Sequence, residues 1–380
     1  MFMEVSFYNF KKLHDESFQK EVLARFEEII KNNSFVEGPY NTLFEQSFSD
    51  YLNAKHSLLV ANGTDAIEIA LKAAGVTTGD KVAIPGITFY ATAEAVMNIG
   101  AIPVLTDIEE ETGLICVESL KRMAQKHKLK AVIPVHIYGL PADIVEIEKV
   151  CKQYNMTIIE DGAQAHGARY LDGSMVGSRK DSLTTFSFYP TKNLSAFGDA
   201  GAIAFSDDKY KDLILSYRNH GRGREDIVGR NSRCDHLQAA VLELKLKDYP
   251  QKYEARKNAA KMYYENLKKV KVISQKYLNY SSWHLFPIFV SDEDQRKRLI
   301  EHLKNKNIGT GLYYPQAMSQ FKTLASFKEQ GEWTKAEEFG KRVLCLPMHS
   351  FLEIEQIQYI AKEINNFYGL TESRTLDQSL

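Results

Sequence analysis

Lys192 stands in a loop of small residues, directly after a run of strand-forming residues. Residues 184–189, TTFSFY, are of the β-branched, aromatic and small types that suit a strand, and Pro190 ends the run because it cannot donate to a ladder. The pKa of a lysine falls readily on burial, and the neutral amine can form a Schiff base with a carbonyl compound. Lys192 is therefore a candidate catalytic residue, and a surface lysine in a turn is the alternative.

Other candidate side chains also follow apolar or strand-like runs. Asp161, Gln164 and His166 come after one such run, and a carboxylate there can pair with a cationic ligand nitrogen. A helix cap or a structural ion pair is the alternative for Asp161. A hydrogen-bonded loop histidine is a more common case than a base for His166. Ser187 could donate to a phosphate and Phe89 could stack on a planar ring, or both could belong to the core.

Two segments have the composition of anion-binding sites. Residues 62–64, NGT, open a helix, and free backbone N–H groups at a helix start attract phosphate; an ordinary cap is the alternative. The P-loop pattern does not occur. Residues 218–226, RNHGRGRED, contain His220, Arg222 and Arg224. These residues could form either a charged flexible loop or a binding site for a nucleotide diphosphate.

Short apolar strands alternate with helices from residue 57 onward. The pattern predicts strands at 57–60, 81–85, 101–108 and 130–139, one leading into Asp161, and helices at 64–74, 88–100, 117–126 and 143–154. Thr64 or Asp65 is predicted to cap the first of these helices. Strands separated by such helices indicate parallel crossovers, so the predicted fold class is α/β, with a sheet covered by helices on both faces. Ligands bind beyond the carboxyl ends of such strands.

The character of the chain changes after Asp235, where two long helices precede a mixture of short strands and helices. With 380 residues the chain exceeds a usual single core. We therefore predict a large domain at 1–245 and a smaller α+β domain at 246–380.

The composition of the chain argues against several classes of binding partner. The formal net charge is -1, with 48 basic and 49 acidic residues, which argues against nucleic-acid binding. The sequence contains neither a secretory signal pattern at its start nor an apolar run long enough for a membrane span. The cysteines lack zinc-site spacing, so we expect no metal and reduced thiols. These features predict a cytoplasmic protein without a membrane partner.

An amine, a carboxylate, an aromatic ring and phosphate donors are together the parts of a pyridoxal phosphate site. The motifs that carry them, in order, are NGTDAIEIAL, GDKVAIPGITFYATAEAV, VIPVHIYGLPADI, IIEDGAQAHGA, FSFYPTKNLSAFGDAGAI, RNHGR and GRNSRCDHLQAA. This series, from about residue 62 to 246, resembles the DegT/StrS family of nucleotide-sugar aminotransferases. The resemblance implies the aspartate aminotransferase-like fold (fold type I) and a homodimer with shared active sites.

The resemblance also implies roles at the cofactor ring. Lys192 matches the family's Schiff-base lysine, and Asp161 matches the residue that faces the pyridinium nitrogen. Gln164 takes the place of the partner of the ring hydroxyl. Phe89 takes the ring-stacking place.

The cofactor phosphate has its own set of implied contacts. Backbone N–H groups of the segment containing Gly63, Thr64 and Asp65 match its main-chain donors, and Ser187 adds a hydroxyl. Asn231 matches a contact that reaches in from the other subunit.

The implied reaction moves an amino group from glutamate to a keto group of a nucleotide-linked 3-keto or 4-keto (6-deoxy) sugar, for cell-surface glycan or related aminosugar biosynthesis. Candidate substrate contacts are His220, Arg222, Tyr313 and Tyr314. The nucleotide, the sugar carbon and the pathway stay open.

The chain departs from the family pattern at three places near the site. Thr191 and Ser195 stand where many members have glycine, and Tyr313 stands where histidine often precedes Tyr-Pro. The resemblance implies that the last change concerns a region that shapes the sugar pocket, so it bears on the identity of the substrate rather than on the chemistry.

Three other functions are alternatives to the transaminase. Sugar dehydratases of the family replace the lysine with histidine, whereas Lys192 is present. A regulatory homologue need not keep the full set of site residues. A nucleotide-dependent oxidoreductase would need a GxGxxG turn after its first strand, and that turn is absent.

Overall fold

The computed structural model of the chain describes residues 3–376, so the last four residues of the predicted small domain lie outside it. Within that range the main sheet has seven strands. They are β1 (His56–Val60), β2 (Lys81–Pro85), β3 (Ile102–Thr106), β4 (Leu129–Val132), β5 (Thr157–Asp161), β6 (Ser182–Ser187) and β7 (Gly201–Phe205). Their spatial order is β1-β7-β6-β5-β4-β2-β3. Strands β2 to β6 are parallel, and β7 runs antiparallel to both neighbours. The predicted mostly parallel α/β sheet is confirmed.

Helices cover both faces of this sheet and continue beyond it. The α-helices are α1 (Phe10–Leu13), α2 (Glu16–Asn32), α3 (Pro39–Leu52), α4 (Gly63–Ala73), α5 (Ala91–Asn98), α6 (Val117–Lys126), α7 (Ile144–Tyr154), α8 (Lys211–Arg218), α9 (His236–Lys247), α10 (Tyr249–Asn266), α11 (Glu293–Asn305), α12 (Thr334–Arg342) and α13 (Ile354–Leu376). Within residues 3–376, no helix is both long enough and apolar enough to cross a membrane.

A second, antiparallel sheet lies in the C-terminal part. Its strands are β8 (Lys271–Val272), β9 (Phe286–Phe289) and β10 (Val343–Leu346), with β9 in the centre. Helices α10, α11 and α13 pack with it around a core that also contains Val5. The first residues of the chain therefore pack with the C-terminal unit, and the division of the chain near residue 245 stays a prediction.

The cap of α4 differs from the predicted one. The helix begins at Gly63, and the N-cap is Asn62, whose Oδ1 accepts the Asp65 N–H at 2.8 Å. The prediction of Thr64 or Asp65 as the cap was wrong because the asparagine two residues earlier already offers a side-chain acceptor to the first turn.

The fourth strand is shorter than the predicted 130–139. It ends at Val132, two residues before Pro134, which cannot donate to a ladder. The chain then forms a 3₁₀ turn at Ile137–Gly139, where Tyr138 has a φ of 61°. The apolar run thus continues past the strand as a buried turn.

Glu160 lies on β5, the central strand of the main sheet, and its carboxylate is fully buried among hydrogen-bond donors. Its oxygens accept from the following side chains: His136 Nε2 at 2.9 Å, Tyr170 OH at 2.6 Å, Ser182 Oγ at 2.5 Å and Thr184 Oγ1 at 3.1 Å. The His136 Nδ1 accepts the Ala142 N–H at 3.0 Å, so Nε2 carries the ring proton and donates. Burial opposes the charge of Glu160, yet these hydrogen bonds, that from His136 foremost, hold its pKa below the ordinary value.

We expect Glu160→Gln to lower the free energy of unfolding by about 2 kcal/mol, since several donors lose a charged acceptor. Denaturant unfolding at neutral pH measures this loss, with the exposed Glu301→Gln as the matched control. Because the folded-state pKa is depressed, the carboxylate stabilises the fold above the unfolded-state pKa of about 4.3 and loses this effect as pH falls. The difference between wild type and variant should therefore shrink in acid. Equal unfolding midpoints at neutral pH would contradict the role of this network.

Candidate active site

Lys192 lies beyond the carboxyl end of β6, in a tight turn. The strand ends at Ser187, two residues before the predicted end at Tyr189, and the Lys192 N–H donates to the Tyr189 carbonyl at 2.8 Å. The next residue, Asn193, is buried and donates from Nδ2 to the Ser282 carbonyl at 2.9 Å. These bonds fix the backbone on both sides of the lysine.

Two opposing effects set the protonation of Lys192. Burial lowers the pKa of its amine to about 8, and the nearby Asp161 carboxylate acts in the opposite direction. Among the described residues, no side-chain hydrogen bond or salt bridge engages the amine. Two buried imidazoles lie close by, His166 and His284, and both have their pKa lowered, by burial first and by Lys192 second. Lys192 is thus a half-buried amine whose protonation changes near neutral pH.

Asp161 is held rigidly at the end of β5. Its Oδ2 accepts from Thr92 Oγ1 at 2.9 Å, and its Oδ1 accepts from the Ala163 N–H at 3.1 Å. Thr92 in turn lies 2.9 Å from the Thr88 hydroxyl, which must donate to it because the Thr92 proton points at Asp161. A nearly buried carboxylate fixed in this way can pair with a cationic ring nitrogen.

Gln164 belongs to the same cluster. Its Oε1 accepts the Tyr138 N–H at 2.6 Å, and its Nε2 donates to the Tyr314 hydroxyl at 3.0 Å. An amide nitrogen carries two hydrogens, so it can donate to Tyr314 and to a ligand at the same time. The Phe89 ring lies 5.9 Å from the Tyr314 ring and is 57% exposed, which leaves a face for a planar ligand.

The start of α4 lies against Ser187. A Cβ on Gly63 would come within 2.7 Å of the Ser187 Cβ, so glycine is required for this approach. The Gly63 and Thr64 N–H groups belong to the first helical turn, where backbone donors favour an anion. Asp65 does not place a free charge there, because Arg230 Nη1 pairs with its Oδ1 at 2.6 Å. The cradle suits a phosphate.

The candidate contact residues on the segment after α8 do not join this cluster through their own side chains. Among residues 3–376, no hydrogen bond or ring contact joins the side chains of His220, Arg222 or Asn231 to those around Lys192. Arg224 instead pairs with Asp226 at the surface, at 2.8 Å. Asn231 is exposed, in a loop whose backbone bridges to Asn219.

Several residues of the cluster were not predicted from the sequence. Thr92 follows Phe89 by about one helical turn, a spacing that could have indicated it. Tyr138, His284 and Tyr8 offer no local signal, because their partners are distant in sequence; Tyr8 contacts Tyr313 across 305 positions.

Solved structures share this architecture. The X-ray structure of Streptomyces venezuelae DesV in complex with a ketimine intermediate superposes with a TM-score of 0.89 at 30% identity, covering 96% of this chain and 98% of that one. The amine, carboxylate, exposed ring and anion cradle described above fit pyridoxal 5'-phosphate in charge and in the groups that it needs. Fold and donor set therefore define a pyridoxal-phosphate-dependent transferase of fold type I.

Sequence comparison identifies the family. The profile of the DegT/DnrJ/EryC1/StrS aminotransferase family matches residues 16–365. The chain is 36% identical over 360 residues to a pleiotropic regulatory protein of Geobacillus stearothermophilus, covering 93% of this chain and 96% of the relative. It is 34% identical over 357 residues to the UDP-N-acetyl-3-dehydro-alpha-D-glucosamine 3-aminotransferase of Acidithiobacillus ferrooxidans, covering 93% and 95%. The chain belongs to the DegT/DnrJ/EryC1/StrS family of pyridoxal-phosphate-dependent aminotransferases.

Selective acylation of the cofactor-free protein tests the protonation of Lys192. With a pKa of about 8, labelling of the Lys192 peptide should rise about tenfold per pH unit below pH 8 and level off above it. Asp161→Asn removes an attraction that raises this pKa, so its inflection should move to lower pH. Peptide mass spectrometry across pH measures the labelling curves of the wild type and the variant. A wild-type inflection near the ordinary lysine pKa would contradict the proposed effect of burial on Lys192.

Proposed function

We propose that the protein transfers the amino group of glutamate to the keto group of a nucleotide-linked 3-keto or 4-keto sugar. The observation that carries the proposal is the half-buried Lys192 amine, with a lowered pKa and Asp161 beside it. Relatives that the chain resembles include a UDP-linked 3-aminotransferase and a transaminase named for a dTDP-linked 3-amino sugar. Others are named GDP-perosamine synthases. The proposal therefore leaves the nucleotide and the carbon open.

The roles of the residues follow from their chemistry. Pyridoxal phosphate supplies an electron sink that makes a carbon–hydrogen bond of the amino donor acidic. Lys192 Nζ would hold the cofactor, and its free amine would move the proton of the glutamate α-carbon as general base and acid. Asp161, oriented by Thr92, would keep a proton on the ring nitrogen through its negative charge.

Binding and orientation fall to the remaining residues. The Gly63 and Thr64 N–H groups and the Ser187 hydroxyl would hold the phosphate, and Phe89 would cover a ring face. Gln164 would donate to the ring hydroxyl.

The sugar nucleotide would contact two regions of the chain. Tyr313 and Tyr314 lie beside the cluster and suit contacts to the sugar, since each phenol can donate and accept. His220 and Arg222 suit the diphosphate through their positive or potentially positive charge. Both lie on the segment that also carries Asn231.

A second subunit would complete the site. Asn231 is exposed in its own chain and would bind the phosphate held by the partner. Large apolar side chains that support such an interface are exposed along α2, α3 and their connection: Leu23, Ile30, Phe35, Val36 and Leu43. We propose a homodimer that works in the cytoplasm, where the free cysteines stay reduced, and supplies an aminosugar for O-antigen or a related glycan.

A regulatory protein without transaminase activity is the second candidate. It is favoured by the name of the Geobacillus relative, a pleiotropic regulatory protein. Binding alone, however, would not require the Lys192 amine to be kept near its neutral form. The two candidates differ in whether glutamate reacts.

The absorbance spectrum of the protein with pyridoxal phosphate separates these functions. We expect a yellow band that fades when glutamate is added without a keto-sugar. Lys192→Ala should abolish the band and lower the amination rate by about 10²–10⁴-fold, because both the attachment point and the proton carrier are lost. A band that ignores glutamate would contradict the proposed donor, and a band retained in the variant would contradict the role of Lys192.

Mixed dimers test the shared site. Lys192→Ala and Asn231→Ala subunits should each be impaired alone. If the site uses lysine from one chain and asparagine from the other, each hybrid dimer contains one intact site, so a random mixture regains about one quarter of the wild-type sites. Activity of the refolded mixture measures this, with tagged hybrids purified as a check. No recovery in purified hybrids would mean that both residues serve the same site from one chain.

A further inference from the structure

Three hydroxyl groups meet beside the candidate site, on segments far apart in the sequence. The Tyr8 and Tyr313 hydroxyls are 2.8 Å apart, and the Thr191 side chain lies close enough to the same Tyr8 hydroxyl to interact with it. Thr191 directly precedes Lys192. Two of the departures from the family pattern, Thr191 and Tyr313, are thus joined through Tyr8.

The N-terminal segment reaches this place along residues 307–309. The Val5 N–H donates to the Asn307 carbonyl at 2.9 Å, and the Gly309 N–H donates to the Val5 carbonyl at 2.8 Å. A Cβ on Gly309 would lie 2.7 Å from the Phe7 backbone nitrogen, so this position must be glycine for the two segments to pair as closely as they do. This backbone pairing therefore places Tyr8 beside the candidate site.

Ring packing then holds the tyrosines in place. The Phe7 and Tyr313 rings stack with centroids 5.9 Å apart and an interplanar angle of 15°. A Cβ on Gly311 would lie 2.6 Å from the Tyr313 ring and 2.7 Å from the Phe7 ring. The Tyr138 hydroxyl donates to the Tyr313 carbonyl at 2.5 Å.

This group of hydroxyls adjoins both sides of the site. Thr191 borders Lys192, and Tyr313 borders Tyr314, which contacts Gln164 and Phe89. Burial first, and the Tyr313 hydrogen bond second, raise the pKa of Tyr8 far above its ordinary value, so its hydroxyl keeps its proton. Neutral hydroxyls that both donate and accept are suited to sugar hydroxyl groups.

We infer that Thr191, Tyr8 and Tyr313 act as one unit that recognises the amino-accepting sugar, with Tyr8 as the specificity-determining residue that couples the other two. The inference rests on the proposed function, because it assigns these hydroxyls to the sugar half of that reaction. Removal of any one hydroxyl should misplace the remaining two. The effect should fall on the keto-sugar rather than on glutamate.

Separate half-reactions of the holoenzyme test the inference. The glutamate half-reaction is followed by absorbance, and the second half by a panel of UDP-, dTDP- and GDP-linked sugars with the keto group at C3 or C4. Tyr8→Phe and Tyr313→Phe should each raise the half-saturating concentration of the accepted sugar about tenfold, and the double variant should raise it no further. The glutamate half-reaction should change less than about twofold. Tyr154→Phe, which removes a phenol hydroxyl from α7, is the matched control and should behave as wild type.

The outcomes are distinguishable. A wild-type enzyme that reacts with glutamate and aminates none of the panel overturns the proposed function, and the inference with it. A wild-type enzyme that aminates a sugar, with Tyr8→Phe indistinguishable from it, overturns the inference alone. Equal losses in both half-reactions, or additive effects in the double variant, also overturn it. A thermal unfolding cycle over the same variants confirms that each holoenzyme is folded, and Thr191→Val provides a second entry to the same unit.

Discussion

The site depends on a balance between the burial of Lys192 and the charge of Asp161. Burial favours the neutral amine, and the carboxylate favours the ammonium form. The sheet places both groups, because β5 ends at Asp161 and the neighbouring parallel strand β6 leads into the loop that carries Lys192. Successive side chains of a strand point to opposite faces, so Glu160 is anchored among donors on one face while Asp161 meets the ligand side. The core network of Glu160 thus fixes the strand end that carries the Asp161 carboxylate.

The strand order explains why the anion cradle lies at the same edge. Strand β7 is antiparallel to both β1 and β6, so these two run in the same direction and end together. The end of β1 leads into Asn62 and α4, and the end of β6 carries Ser187. The start of β7 must pass between them, and a Cβ on Gly201 would lie 2.4 Å from the Asn62 carbonyl oxygen. Glycine at that point allows the cradle and the lysine loop to approach each other.

Local patterns were sufficient to predict most of the sheet. The strand at 81–85 and the helix at 117–126 were predicted with the bounds that the structure has, because short apolar runs and helical spacing are local properties. Position after a strand made Lys192 and Asp161 candidates, and the family resemblance supplied their expected roles. The cap at Asn62 could also have been read locally, since asparagine is a favoured N-cap. The contact between Tyr8 and Tyr313 could not be predicted from local sequence, because it depends on how the first residues of the chain pack against the C-terminal unit.

The link between Lys192 and the C-terminal unit shows the same dependence on tertiary packing. Asn193 uses its amide nitrogen on the Ser282 carbonyl, so its Oδ1 faces the His284 Nδ1 at 3.0 Å, and that nitrogen must carry the ring proton. Burial and Lys192 hold the pKa of this imidazole well below its ordinary value, so the ring is neutral and its proton lies on Nδ1. A charged imidazole here would place a second cation beside Lys192. Asn193 therefore positions the lysine loop and fixes the tautomer of the neutral His284 ring, while Asp161 is the charge that raises the pKa of the amine.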